Sequence, residues 1–304
     1  MFKRMNLQLF AGENQEMPVR QYQKEFKELL QAVFEKQAYF ADFFGGKIEA
    51  MDGVQENENA FYVKTTDIPV AVGTYSKESA VAFGVGTGKT SRFGNRTEII
   101  YKDTPVPYTW GWAFHEGLDR HTINNDLEAA LADRLELQAR VKVGLFNTNH
   151  GKFISNSAGK TIADEATITK DNVAGIFNKL SKHFVDVGAI GTKVAKVTPD
   201  VYNAIVDCGL AVSSKGSTVN MDEGSVLRFK GFIIEEVPTA LFQSTEAIYA
   251  YITGVGKAFT GIETSRTIES EDFDGVALQG AGRAGEFILN DNKQAVVKVT
   301  ASGM

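Results

Sequence analysis

Tyr62-Val63, Val70, Val72 and Tyr75, then Gly84-Val85-Gly86-Thr87-Gly88-Lys89, then Ile99, Tyr101, Val106, Tyr108, Trp110 and Trp112 mark a long two-stranded arm over about Tyr62 to Phe114. Both limbs are β-branched and aromatic, and alternation is strongest on the return. The glycine-rich stretch between them supplies the turn. Pro69, Pro105 and Pro107 suit an edge ribbon, because proline cannot donate to a central ladder. A ribbon this long cannot bury both faces against one domain, and a two-stranded ribbon alone is marginally stable in water. The pattern therefore expects cover from outside the chain, which points to assembly before it points to chemistry.

A capped helix follows the arm. Asn125 as N-cap and Glu128 three residues on form a capping box. Leu127, Leu131, Leu135 and Leu145 fall on one stripe, with Ala130, Val141 and Gly144 beside it. The spacing predicts a spine helix over 124–148, with His150-Gly151-Lys152 ending it. At about 22 residues it would span roughly 33 Å.

Upstream, Val19, Tyr22, Phe26, Leu29, Leu30, Val33, Phe40 and Phe44 follow a helical period that Gly45-Gly46 stops. Downstream the chain reads as α+β. Thr169 caps a helix carrying Val173, Ile176, Phe177, Leu180 and Phe184. Thr198-Pro199 opens another, with proline at its first position and Val201, Ile205 and Cys208 on the apolar side. Strands are expected at Phe232–Val237, Ala247–Ile252, Phe273–Leu278, Glu286–Leu289 and Ala295–Val299, the last two flanking a hairpin turn at Asn290-Asp291-Asn292-Lys293.

Composition narrows the function classes. With 304 residues, 43% hydrophobic and 23% charged, the chain can bury a sizeable core in one or two domains. A net charge of −6 provides no overall basic field for nucleic acid. A single cysteine, Cys208, cannot form an internal disulfide and suggests a reducing compartment. No apolar run approaches the ~20 residues of a membrane span. The opening Met1-Phe2-Lys3-Arg4-Met5-Asn6-Leu7-Gln8-Leu9-Phe10-Ala11 is interrupted by Asn6 and Gln8, so export is not expected.

The motifs with catalytic associations fail on context. Gly84 to Thr90 invites a phosphate-loop reading, but the first glycine of that pattern falls on Phe83, and no helical stripe follows. Gly280-Ala281-Gly282-Arg283-Ala284-Gly285 matches the dinucleotide fingerprint literally, without the βαβ unit it requires, and is read as a loop. His115, His121, His150 and His183 are too dispersed for a metal site, and Cys208 reads as a buried inert thiol. No catalytic, cofactor or metal site is expected. What stands out is charge at the arm's tip: Lys89, Arg92, Arg96 and Lys102 against Glu98, in an acidic chain. These are the candidate contacts with an acidic patch on a neighbouring subunit, where charge sets register and rate.

This order of elements resembles the major capsid proteins of tailed double-stranded DNA bacteriophages with the Hong Kong 97-type fold. Met5-Asn6-Leu7-Gln8-Leu9-Phe10-Ala11, Gly231-Phe232-Ile233-Ile234-Glu235-Glu236-Val237-Pro238 and Gly285-Glu286-Phe287-Ile288-Leu289-Asn290-Asp291 add to the likeness. The resemblance implies an N-terminal arm over 1–60 with a helix at 19–44, an extended loop over 61–114 and a peripheral domain over 115–164 with the spine helix. It further implies an axial domain over 165–265 and returning peripheral strands over 266–304. It implies a non-enzymatic structural protein whose copies form hexamers and pentamers of an icosahedral head, assembled in the host cytoplasm and located in the virion. The implied partners are a separate scaffolding protein, portal and head-joining proteins, and packaged double-stranded DNA contacted weakly and non-specifically. Phe26, Leu30, Val33 and Phe40 are then the candidate contacts with scaffold or a neighbour. An encapsulin-like compartment, or another phage head or tail subunit, is the alternative.

Overall fold

Residues 38–51, 59–66, 68, 70, 72–77, 92–94, 97–121, 127–164, 167–208, 218–220 and 225–301 are described by the structure, a computed structural model. Two units are distinguished: Met1–Met51 with Tyr108–Met304, and Asp52–Pro107. The expected helix over 19–44 lies outside the described residues except at its end, where Ala41–Phe44 forms a 3-10 turn. Asn125 also lies outside them.

In chain order the strands of the larger unit begin with β1 (Ile48–Ala50). The smaller unit contributes β2 (Asn59–Thr65) and β3 (Lys102–Pro107). Then come β4 (Trp110–Asp119), helix α1 (Leu127–Ser157), β5 (Lys160–Asp164), α2 (Val173–Asp186), β6 (Lys193–Val197) and α3 (Pro199–Asp207). Short strands β7 (Thr218–Asn220), β8 (Ser225–Phe229), β9 (Phe232–Glu236) and β10 (Glu246–Ile252) follow. The chain finishes with β11 (Gly256–Glu269), β12 (Gly275–Ile288) and β13 (Val296–Ala301).

The larger unit contains two sheets. One has the order β1-β11-β12-β4, with β1 parallel to β11 and the other neighbours antiparallel. The other has the order β5-β13-β10-β6-β9-β8-β7 and is mixed, with β5–β13 and β6–β9 parallel. On one face of the seven-stranded sheet, Val173, Ile176, Phe177, Leu180 and Phe184 of α2 and Val201 and Ile205 of α3 pack on Ala195, Val197, Ile248, Ala250, Val297 and Val299. These are the residues that the helical period selected. On the other face an aromatic cluster joins Phe40, Phe43, Phe44 and Ile154 to Val194, Tyr249, Tyr251 and Val296. Strand β10 is consequently buried at all seven positions, as expected of a strand covered on both faces.

Several sequence expectations are corrected. Trp110 and Trp112 belong to β4 of the four-stranded sheet, so the paired arm ends at Pro107 rather than Phe114. Helix α1 runs through His150-Gly151-Lys152 to Ser157. Gly151 is there for packing: a Cβ would sit 2.4 Å from the Leu241 carbonyl oxygen. The leucine stripe is the buried face only in part: Leu131 is buried and Leu127 and Leu135 are half-buried, but Leu145 and Val141 are exposed while Ala139, Val143, Phe146 and Ile154 are buried. Phe146 turns the helix this way by packing edge-on against both Trp110 and Trp112, at ring distances of 4.6 and 5.4 Å.

The Gly280–Gly285 segment is no loop; it lies in the middle of β12, paired with β11 and β4. Gly282 lies flush with the Trp112 ring, where a Cβ would meet it at 2.3 Å. Strand β11, which no sequence pattern marks, joins the four-stranded sheet from Gly256. Asn290–Lys293 is not a hairpin turn, because a 3-10 turn over Asp291–Ala295 carries the chain from β12 to β13 in the other sheet.

Candidate assembly surfaces

The arm is antiparallel, with Tyr62 opposite Pro105 and Lys64 opposite Asp103. Farther out, Ser76 N–H donates to the Arg92 carbonyl at 2.9 Å, and the Tyr75 and Phe93 rings meet edge-on at 5.1 Å. The two limbs thus stay together well beyond the paired strands. Along this length apolar side chains face solvent: Val70 is 86% exposed, Val72 92% and Phe93 83%, and Ile99, Ile100 and Tyr101 are also exposed. An apolar run of this kind on a thin ribbon marks a surface that another molecule covers.

Of the four basic candidates, Lys102 is exposed at the start of β3 and Arg92 is half-buried in the distal arm. Lys89, Arg96 and the glycine-rich tip lie outside the described residues, as do Phe26, Leu30 and Val33. Phe40 is a correction: it is fully buried beside Tyr249 and Phe43, so it offers no surface to a scaffold or neighbour. The aromatic demand of the core takes it inward.

The larger unit holds two buried polar clusters and a third, partly exposed one, that sequence spacing could not reveal. At the base of the four-stranded sheet, Glu286 accepts from Trp110 Nε1 at 2.9 Å and from Thr109 Oγ1 at 3.3 Å. Burial raises its pKa, with these two bonds pulling the other way. His150 Nε2 lies 3.6 Å from Glu286 Oε1, between the Phe44 and Phe146 rings, and burial lowers its pKa to about 3. His150 is thus a neutral imidazole at ordinary pH. A second cluster places Glu246 between Ser155 at 2.7 Å and Lys298 at 2.8 Å, with the Tyr249 hydroxyl donating to it. Its pKa is lowered: desolvation opposes ionisation, and the Lys298, Tyr249 and Ser155 bonds outweigh it. The third joins Asp42, Lys196, Glu235 and Tyr251.

On the exposed side, Arg134 and Gln138 of α1 hold Glu116 of β4, and the Arg134 bond lowers the Glu116 pKa. Lys142 pairs with Glu263 and sits 4.6 Å above the Trp112 ring. A groove of about 670 Å³ over β4, β11 and β12 is lined by Ala113, His115, Thr264, Arg266, Gln279 and Ala281. In it Arg266 donates to Gln279 at 2.7 Å, Gln279 lies 3.2 Å from His115, and Glu263 and Ser265 complete the polar lining. Among the described residues there is no group of three or more His, Cys, Asp or Glu that could hold a metal ion. No helix among them is long and apolar enough to cross a membrane. Cys208 is buried, as expected.

No protein-family model matches the sequence, and no curated protein matches it. Solved structures do. The capsid structure of the cyanophage P-SCSP1u superposes with a TM-score of 0.65 over 88% of this chain and 89% of the other, at 10% identity. The mature capsid of bacteriophage PhiM1 gives 0.60 over 88% of each chain, at 12% identity. The holo-SrpI encapsulin complex from Synechococcus elongatus gives 0.50 over 98% and 96%, at 9% identity. By these superpositions over nearly the whole length of both chains, the chain has the Hong Kong 97-type fold of phage major capsid proteins.

Proposed function

We propose that this chain is the major capsid protein of a tailed double-stranded DNA phage, a structural subunit without catalytic activity. The observation that carries the reading is a fold shared with capsid subunits over nearly the full length of both chains. The arm supports it independently, since its solvent-facing Val70, Val72 and Phe93 require a neighbour. Copies form hexamers and pentamers and close into an icosahedral head. The basic residues Lys89, Arg92, Arg96 and Lys102 set the register of the arm on the next subunit. Phe26, Leu30 and Val33 meet a scaffolding protein or a neighbour. Portal and head-joining proteins complete the head in the host cytoplasm, and the acidic chain touches its packaged DNA weakly and without sequence preference.

Size-exclusion chromatography and negative-stain microscopy of the purified chain, alone and with its scaffold, test this reading. Closed shells or capsomer-sized rings are expected. A monomer that persists at high concentration in both conditions overturns it. A compartment for protein cargo is the second reading, favoured by the encapsulin likeness. Particles that contain protein rather than DNA would select it.

A further inference from the structure

Helix α1 has two apolar sides, and only one of them is buried. Ala139, Val143, Phe146 and His150 project into the core. At 3.6 residues per turn, Leu137, Val141 and Leu145 fall together on the other side of the helix, at steps of four residues. They are 45%, 54% and 38% exposed, and their row runs for about 12 Å along the helix.

The chain ahead of β1 is pinned to this same helix. Tyr39 N–H donates to Asn147 Oδ1 at 3.1 Å, and Phe40 is fully buried beside Tyr249. The described chain therefore begins against α1, two residues beyond Leu145. Farther upstream, Val19, Tyr22, Phe26, Leu29 and Val33 recur at alternating steps of three and four residues. That spacing makes the narrow seam of a helix that pairs with one other helix. Residues 34–38 are long enough to connect the two. Five extended residues reach about 17 Å, whereas packed helices lie about 8–10 Å apart between axes. A tether this short holds seam and row at a roughly millimolar effective concentration, which a separate partner has to match.

We propose that residues 19–33 dock as a helix on the row of Leu137, Val141 and Leu145 in their own subunit. The contact belongs to the free subunit and does not depend on the capsid reading. Its consequence does rest on that reading. A scaffold or neighbour that uses Phe26, Leu30 and Val33 must take them from α1, so the docked helix holds these assembly contacts back until a partner competes for them.

Photocrosslinking of the dilute full chain tests the docking. A benzoylphenylalanine probe at Val141, read by digestion and mass spectrometry, should crosslink within the chain to a peptide from residues 19–37. Its yield should not change on tenfold dilution. The same probe at Val185 should capture that peptide at least tenfold less, because α2 packs on the opposite face of the seven-stranded sheet from Ile154 of α1. Leu137→Asp with Val141→Asp keeps the fold, since both side chains already face solvent, and should speed amide hydrogen exchange across residues 19–33 at least tenfold. A mixture of isotopically labelled and unlabelled chains separates contact within a chain from contact between chains. Crosslinks that join labelled to unlabelled chains, or that land only outside residues 19–37, overturn the proposal. Exchange left unchanged by the double variant overturns it as well. Particle formation is read separately, so a chain that never assembles counts against the capsid reading and leaves the crosslinking result intact.

Discussion

Gly144 and Gly151 lie two turns apart on α1 and predict opposite outcomes for the same substitution. Nothing lies within 4 Å of where a Cβ on Gly144 would be, whereas at Gly151 it would strike the Leu241 carbonyl oxygen. Gly144→Ala should therefore stabilise the isolated subunit by about 1 kcal/mol, the ordinary helix-propensity gain. Gly151→Ala should destabilise it by about 1–3 kcal/mol, because the clash overrides that gain. Urea unfolding of the two variants checks both signs. His150 makes a pH prediction. Its folded pKa of about 3 lies below the unfolded value of 6.5, so the folded state binds fewer protons between them. Its stabilisation is complete above about pH 6.5 and drains away as the pH falls toward about 3. Glu286 works the other way, because its raised pKa lets the folded state hold a proton that the unfolded state releases. Removing the histidine isolates its share: between pH 7 and pH 4 the melting temperature of His150→Leu should fall less steeply than that of the parent, as scanning calorimetry would record. None of these residues was legible in advance. The sequence marks Gly151 as a helix stop and His150 as its neighbour, and only the approach of Leu241, Phe44 and Phe146 gives them their roles.

Elements that bury one regular face could be read directly. Helix α3 starts where Thr198-Pro199 placed it, α2 starts three residues later than a Thr169 cap would set it, with Asn172 as N-cap, and β9 and β10 lie within a residue of expectation. The four-stranded sheet was much harder. Its strands β11 and β12 use Gly261 and Gly282 to admit Tyr108 and Trp112, so the signal that breaks a strand in sequence is here the fit between strand and ring. Helix α1 misled for a related reason, since Phe146, packed on the β4 tryptophans, takes the buried face in place of Leu145. Leu137, Val141 and Leu145 form an exposed row on the outside. For the arm, the expectation of outside cover can be separated from stability. Serine at Val70, Val72 and Phe93 should leave the free subunit's unfolding free energy within about 0.5 kcal/mol, because those side chains already face solvent. The same triple variant should fail to form particles by light scattering and microscopy.

At the scale of the molecule, element order carried the fold at identities of 9–12%, where no family model matches. The assembly surfaces were only partly legible. Charge at the arm was visible in the sequence, but the inward turn of Phe40 was not, because an apolar residue at helical spacing reads alike whether it meets its own core or a partner. Charge also sets an expected salt response. If the basic arm steers subunits together, particle growth should slow as ionic strength rises from about 0.05 to about 0.5 M, where screening shortens to a few ångströms. Arg92→Glu with Lys102→Glu should slow growth at low salt and flatten that dependence, as stopped-flow scattering would show.

The position of β13 has a further consequence for how the protein is made. Strand β5 reaches the rest of its sheet only through β13, which is formed by residues 296–301. While the ribosome is still translating, that gap stays open and the segment following α1 has nothing to dock on. A nascent subunit therefore cannot complete its shape until synthesis has passed residue 301.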